Sequence, residues 1–397
     1  MPETDKQKIN EALSRGVDTI YPSREALEQV LRSGKKLRIY HGVDPTGQHL
    51  HIGHATNLLT LRRLQRLGHE IIFLIGDFTA RIGDPSEKSA TRTQLNYKEV
   101  KENSKTFKKQ ASKIIAFSGS NAAKVKFNST WLKKLSFADV LELASHVTVQ
   151  QMVKRGMFQK RIEENKDVWL HEFLYPLMQG YDSVAMNVDM EIGGTDQMFN
   201  MMLGRTLLKK MKGKEKFVLT TKLLENPKTG KKLMNKSEGG LINLDDEPND
   251  MFGKVMALDD EVMFSVAELS STMPLADIKK LKKLKPRDAK LAIAREIVTT
   301  YHSENATERA ENEFIEVFSK NATPHDAPIL FVSKEIEIVD LLIKAGISSK
   351  SEARRLIKQK AVKINSEART DINKMLSLKD NDILKVGKHR FFKIKIK

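Results

Sequence analysis

Residues 36–76 read KLRIYHGVDPTGQHLHIGHATNLLTLRRLQRLGHEIIFLIG, and the pattern of this stretch decides the fold class. KLRIYHGV and HEIIFLIG are short apolar runs bounded by turn residues, the signature of strands buried in a sheet. Between them GHATNLLTLRRLQRLG carries Leu58, Leu61, Leu64 and Leu67 along one helical stripe and stops at Gly68. Strand, helix and strand in that order make a βαβ unit, which feeds a parallel sheet.

The alternation continues downstream. KVKFNS and VDMEI read as strands, SFADVLELASHVTVQQMV and TDQMFNMMLGRTLLKKM as helices. The expectation is an α/β, Rossmann-like doubly wound parallel sheet over residues 1–245. From Asn249 only helical patterns follow, with Pro274 and Pro286 where first turns would begin, which predicts a helical domain over 246–320. NATPHDAPIL has two prolines and no apolar period, so 321–334 reads as a linker. A small α+β unit is expected over 335–397, ending in the alternating strand RFFKIKIK.

Composition narrows the function classes. A chain of 397 residues with 40% hydrophobic residues is expected to hold two or three domains. It contains no cysteine, which removes disulfides, thiolate nucleophiles and the usual structural zinc sites. The net charge is +17, and +8 of it sits in residues 335–397, which hold 16 Lys+Arg against 8 Asp+Glu. That imbalance favours a polyanionic partner such as nucleic acid over a plain solvated surface. No apolar run approaches the roughly 20 residues of a membrane span, and MPETDKQKIN has no signal core, so a cytoplasmic location without a membrane partner is expected.

The turn between the first strand and its helix carries the chemistry. HGVDPTGQHLHIGH places four of the chain's ten histidines where free helix amides attract phosphate. It has neither GxGxxG nor GxxxxGK[ST], which argues against a dinucleotide fold and a P-loop. His51 and His54 are three apart at the helix start, so both imidazoles can project from one face and donate to phosphate oxygens. Gly53 between them permits close approach of a ligand. A metal site competes, but no HExxH or acidic residue at ligand spacing accompanies these histidines.

HLHIGH resembles the HIGH signature of class I aminoacyl-tRNA synthetases, and KKLMNKSEGG (231–240) is similar to their KMSKS loop. Over essentially its whole length the chain resembles the bacterial-type tyrosyl-tRNA synthetases, through YHGVDPT, IGDPS, YPLMQGYD and GGTDQ. The resemblance implies that Tyr40 and Asp182 bind the phenol hydroxyl of L-tyrosine, and that Asp84, Tyr175 and Gln179 hold its ammonium group. The residues agree: Tyr175, Gln179 and Asp182 fall on one helical face that is otherwise apolar. A tryptophan-specific relative would not be expected to keep the Tyr40 and Asp182 pair.

For ATP, Asp196 matches the ribose-binding aspartate, and Gly194 allows the backbone close to the ligand. By the same resemblance Gln197, Asn57, Lys88, Arg92, Met234 and Ser237 lie near ATP, and His51, His54, Thr46, Lys232 and Lys236 act on its phosphates. Leu233 stands where the family's loop begins with lysine, and Glu87 where glycine is commoner. ATP is implied as substrate, accompanied by Mg²⁺, with no protein-held metal and no organic cofactor.

AGISSKSEARRLIKQKAVKIN resembles the alpha-L RNA-binding fold, with Ser349 or Ser351 as N-cap and Arg354, Arg355 and Lys358 placed to contact RNA phosphates. The expected function is therefore tyrosine–tRNA ligase, with tRNA(Tyr) as partner and a homodimer as the assembly. The alternatives are a non-catalytic RNA-binding or splicing protein on the same scaffold, for which Leu233 is the one pointer, and an adenylate-forming enzyme for another small acid, which would have no use for the basic tail.

Overall fold

The structure is a computed structural model and describes residues 1–85, 95–153, 156–234, 240–319, 327–347, 349–365, 367–387 and 390–397. These form two compact units, Met1–Thr307 and Glu308–Lys397. The boundary falls inside the helix Glu304–Ser319.

In the first unit six strands make one sheet: β1 (Val17–Tyr21), β2 (Arg38–Val43), β3 (Glu70–Ile75), β4 (Lys124–Phe127), β5 (Met190–Gly194) and β6 (Phe217–Thr221), in the order β1-β6-β5-β2-β3-β4. From β6 to β4 the pairing is parallel, and β1 closes the edge antiparallel to β6. The α/β class and the parallel sheet agree with the sequence reading. Between β5 and β2 the order reverses, which opens a crevice at the carboxyl ends of those two strands.

The helix Ile52–Arg66 makes the crossover from β2 to β3 and buries Leu58, Leu61 and Leu64 completely, the stripe expected from their spacing. A second helix, Leu170–Met186, lays Met186 against Tyr40, Ile72 and Leu74 of the sheet. It contains Pro176, and it ends at Asn187, whose left-handed backbone (φ 49°) suits asparagine.

The helices Pro248–Met256, Asp260–Ser270, Leu275–Leu281 and Pro286–Tyr301 lie in the same compact unit as the sheet, where a separate 246–320 domain was expected. Asp260–Ser270 packs on Ile52–Arg66, and Ser270 Oγ donates to the Ile52 carbonyl at 3.0 Å, so this helix supports the start of the crossover helix. Pro286 opens its helix as expected, whereas Pro274 is the residue before one.

In the second unit β7 (Ile329–Val332), β9 (Val362–Ile364), β10 (Glu367–Ala368), β12 (Ile383–Val386) and β13 (Arg390–Ile396) form a sheet in the order β10-β9-β12-β13-β7, and β8 (Glu335–Glu337) pairs with β11 (Met375–Ser377). Helices Ile338–Lys344 and Lys350–Lys358 bury Leu341, Leu342, Ala353 and Ile357 in its core. The stretch read as linker thus includes a strand: β7 runs parallel to β13, and the prolines that suggested a linker precede it.

His69, just before β3, is fully buried, and its Nδ1 accepts the Leu37 amide at 3.3 Å. Burial, reinforced by nearby Lys36, holds its pKa down to about 4, against 6.5 in an unfolded chain. As the pH falls below 6.5 the unfolded chain takes up a proton that the folded chain refuses, so stability is lost between 6.5 and 4. His69→Asn, which keeps an acceptor for Leu37, is expected to flatten that loss by about 3 kcal/mol at its fullest, measured as urea unfolding free energy against pH.

Candidate functional site

The crevice holds a cavity of about 930 Å³. Every expected amino-acid- or ATP-site residue that the structure describes lines it: Tyr40, Thr46, His51, Gly53, His54, Asp84, Tyr175, Gln179, Asp182, Gly194, Asp196, Gln197, Lys232 and Met234. Lys88, Arg92, Lys236 and Ser237, together with Glu87, lie outside the described residues.

The four histidines of the turn have four different surroundings. His41 Nδ1 donates to the Ile192 carbonyl at 2.8 Å and ties β2 to β5; burial lowers its pKa, which keeps the ring neutral. His49 Nδ1 meets both carboxylate oxygens of Asp245 at 2.9 Å. His51 is the N-cap of Ile52–Arg66, and its Nδ1 accepts the Gly53 amide at 3.2 Å. His54 Nδ1 accepts the His51 amide at 3.1 Å, and the two rings stand 3.9 Å apart at 43°. Because both Nδ1 atoms accept from backbone N–H groups, each neutral ring carries its proton on Nε2 as a donor. Gly53 has room for no side chain: a Cβ there would stand 3.0 Å from the His51 ring.

The other end of the cavity is walled by buried carboxylates. Asp182 accepts from Trp131 Nε1 at 2.7 Å and from Asn128 Nδ2 at 3.3 Å. Burial nevertheless pushes its pKa well above the ordinary range. At the tip of β2, Asp44 accepts from Thr79 Oγ1 at 2.7 Å and from Tyr175 Oη at 3.0 Å. Gly76 makes that approach possible, since a Cβ would lie 1.9 Å from Asp44 Oδ1. Asp84 accepts from Gln197 Nε2 at 2.5 Å, and Asn200 Nδ2 bridges Gln197 and Gln179 at 3.0 and 2.9 Å. Carboxylates converging on one cavity make it electronegative, suited to an ammonium ligand.

Tyr40 is buried, and its hydroxyl shares a hydrogen bond of 2.9 Å with Ser183 Oγ; the structure shows no bond between Tyr40 and Asp182.

On the nucleotide side, β5 ends in Gly193 and Gly194, and a turn of 3₁₀ helix, Thr195–Gln197, stands between it and the helix Met198–Lys212. The sequence reading had GGTDQ open the helix directly. A Cβ on Gly194 would come within 2.5 Å of Asp196 Oδ1. Lys232 Nζ pairs with Asp196 at 2.9 Å, so the residue beside Leu233 reaches the cavity. Met234 takes a left-handed backbone (φ 62°), is buried, and its Sδ accepts the Ile242 amide at 3.4 Å. Asn57 Oδ1 accepts from Thr221 Oγ1 at 2.6 Å. Among the described residues no three His, Asp or Glu side chains gather to hold a metal.

Sequence reasoning missed Asp44, Thr79, Asn128 and Trp131. Only Asp44 lay inside a quoted motif, YHGVDPT. In the second unit Ser349 is the N-cap of Lys350–Lys358, and Arg354, Arg355 and Lys358 are exposed on the side opposite Ala353 and Ile357.

Comparison with known proteins follows this geometry. A family model described as "tRNA synthetases class I (W and Y)" matches residues 32–319, and one described as "Tyrosine--tRNA ligase SYY-like C-terminal domain" matches residues 320–394. The chain is 43% identical to the tyrosine–tRNA ligase of Carboxydothermus hydrogenoformans, covering 99% of each chain. It is 42% identical to that of Moorella thermoacetica, covering 96% of this chain and 94% of the relative. Among solved structures it resembles in fold a C-terminally truncated mitochondrial tyrosyl-tRNA synthetase from Aspergillus nidulans (TM-score 0.67, 21% identity, covering 79% of this chain and 95% of the other). It also resembles the Archaeoglobus fulgidus enzyme complexed with L-tyrosine (TM-score 0.59, 22% identity, covering 77% and 99%).

Trp131→Phe removes the shorter of the two hydrogen bonds that Asp182 accepts from Trp131 and Asn128. The expected cost is about 1–3 kcal/mol of stability, read as a lower urea midpoint, and the loss should shrink at low pH, where the carboxyl is protonated.

Proposed function

We propose how this chain, which belongs to the class I tRNA synthetases of the W and Y family and is a tyrosine–tRNA ligase, uses its crevice. Tyrosine enters with its phenol toward Tyr40 and Asp182 and its ammonium toward Asp84, Tyr175 and Gln179. The observation that carries this reading is the row of buried carboxylates, each with protein donors, at one end of a cavity whose other end is a helix start. A site that hydrogen-bonds a phenol disfavours phenylalanine, which leaves the site's own polar groups unpaired.

ATP takes the histidine end. Its ribose replaces Lys232 on Asp196, which frees the lysine to move toward the leaving pyrophosphate; Lys236, outside the described residues, is assigned the same task. Gly194, Gln197, Met234, Ser237, Lys88 and Arg92 complete the nucleotide contacts. The tyrosine carboxylate attacks the α-phosphorus, the bond to pyrophosphate breaks, and tyrosyl-adenylate forms. A carboxylate is a competent nucleophile, so the chain's task is positioning and charge stabilisation. His51 and His54 donate from Nε2 to the transferring phosphate, assisted by Thr46. Mg²⁺ arrives with ATP and neutralises charge on its phosphates. The terminal adenosine of tRNA(Tyr) then attacks the adenylate.

Arg354, Arg355 and Lys358 would meet tRNA phosphates, a reading supported by their exposure on one helix of a unit with excess positive charge. A homodimer is supported by exposed apolar side chains along helices of the first unit, including Phe137, Val149 and Leu170. No helix of the described residues is long and apolar enough to cross a membrane, and a cytoplasmic place suits an enzyme that charges tRNA. The alternative of a splicing or otherwise non-catalytic protein finds no support in relatives that carry the ligase name.

Asp182→Ala is expected to abolish tyrosine-dependent ATP–pyrophosphate exchange while ATP binding persists; undiminished exchange would sink the pocket reading. His51→Ala should slow exchange roughly 10²-fold with little change in tyrosine affinity. Replacing Arg354, Arg355 and Lys358 together with alanine should raise the KM for tRNA and leave exchange untouched, and unaffected charging would remove that helix from RNA recognition.

A further inference from the structure

Lys216, the residue before β6, is the one lysine among the fully buried side chains of the described residues. Its Nζ donates to Glu191 Oε2 on β5 and, at 2.6 Å, to Ser183 Oγ on the helix Leu170–Met186. It also stands 5.7 Å from the ring centroid of Tyr40, within cation–π range. Two glycines open the slot it occupies. A Cβ on Gly204 would lie 2.8 Å from the lysine Nζ and 3.1 Å from Ser183 Oγ, and a Cβ on Gly180 would lie 3.3 Å from Gly204 Cα. An ammonium has thus been threaded between two helices to reach the floor of the tyrosine cavity.

The network has a direction. Lysine can only donate, and a carboxylate can only accept. Ser183 Oγ has one proton and two acceptor positions, and it faces Lys216, Tyr40 and, at 3.4 Å, Glu191 Oε2. One arrangement satisfies every atom: Oγ accepts from Lys216 and from Tyr40 and turns its own proton toward Glu191. The reverse would set a serine lone pair against an anion. Glu191 Oε1 is meanwhile held by Gln179 Nε2 at 3.2 Å, so the same carboxylate also orients the amide on the ammonium side.

We propose that Lys216 is a specificity-positioning residue: through Glu191 and Ser183 it commits the Tyr40 hydroxyl proton to the protein, so that Tyr40 meets the substrate's para position as an acceptor. The pocket then rejects a para group that brings no proton, because an electronegative substituent would face lone pairs on Tyr40. This inference rests on the reading of Tyr40 as a contact of the substrate phenol.

The test compares pyrophosphate exchange with tyrosine and with 4-fluorophenylalanine, which is near tyrosine in size and cannot donate. The full-length protein, Ser183→Ala and the double variant Lys216→Met with Glu191→Gln are measured. The double variant removes both charges at similar volume and leaves neither buried alone. In both variants the Tyr40 proton is released to turn toward the substrate, so the preference in kcat/KM for tyrosine over the fluoro analogue is expected to fall about tenfold, the worth of one net hydrogen bond. The KM for ATP should stay as it is. An unchanged preference in either variant, or a parallel loss for both amino acids, overturns the proposal, since a plain packing role would lower both alike. Tyr40→Phe separates this from its premise: if that change leaves the preference intact, the reading of the pocket itself fails.

Discussion

A carboxylate buried at the bottom of a crevice is the constraint on which the rest of the site depends. Asp182 is 2% exposed, and taking a charge out of water costs several kcal/mol unless donors replace the water. The fold supplies them from a different segment, Asn128 and Trp131 at the end of β4, and does the same for Asp44 with Thr79 and Tyr175. Each solution requires a precise backbone approach, visible at Gly76, where any side chain would collide with Asp44. Rigid satisfaction of these groups makes the pocket electronegative and leaves a phenol as a suitable group to complete it.

The second half of the site follows from the same sheet. The strand order reverses beside β2, so the helix after β2 begins next to the end of β5. That places His51 and His54 across one cavity from Asp182 and brings Asp196 and Gly194 to its rim. The histidines serve twice: their Nδ1 atoms satisfy helix amides, and the same bonds put the protons on Nε2. The ion pair between Lys232 and Asp196 occupies the place proposed for the ribose, so nucleotide entry and release of this lysine are one exchange.

Much of this was legible in the sequence, and the limits are physical. The βαβ unit was read from local periodicity, and the crossover helix buries the leucines that its spacing marked. The site residues inside compact motifs converge on one cavity. What could not be read were partners set far apart in the chain. Trp131 and Asp182 are 51 residues apart and Lys216 and Glu191 are 25 apart, and nothing near Trp131 or Lys216 announces a buried anion. The strands β1 and β6 were missed because VDTIY is a half-exposed edge and FVLTT is short, so neither shows a clear period. Proline misled at Pro328, where an expected linker carries straight into β7.

The central claim is that this crevice selects its amino acid by hydrogen bonds to a phenol before any RNA is involved. Its most direct test is ATP–pyrophosphate exchange by the full-length protein, without tRNA, with each proteinogenic amino acid in turn. Exchange that depends on tyrosine, with phenylalanine and tryptophan near background, is the expected result. Exchange with phenylalanine comparable to tyrosine, or none with any amino acid, would contradict the account.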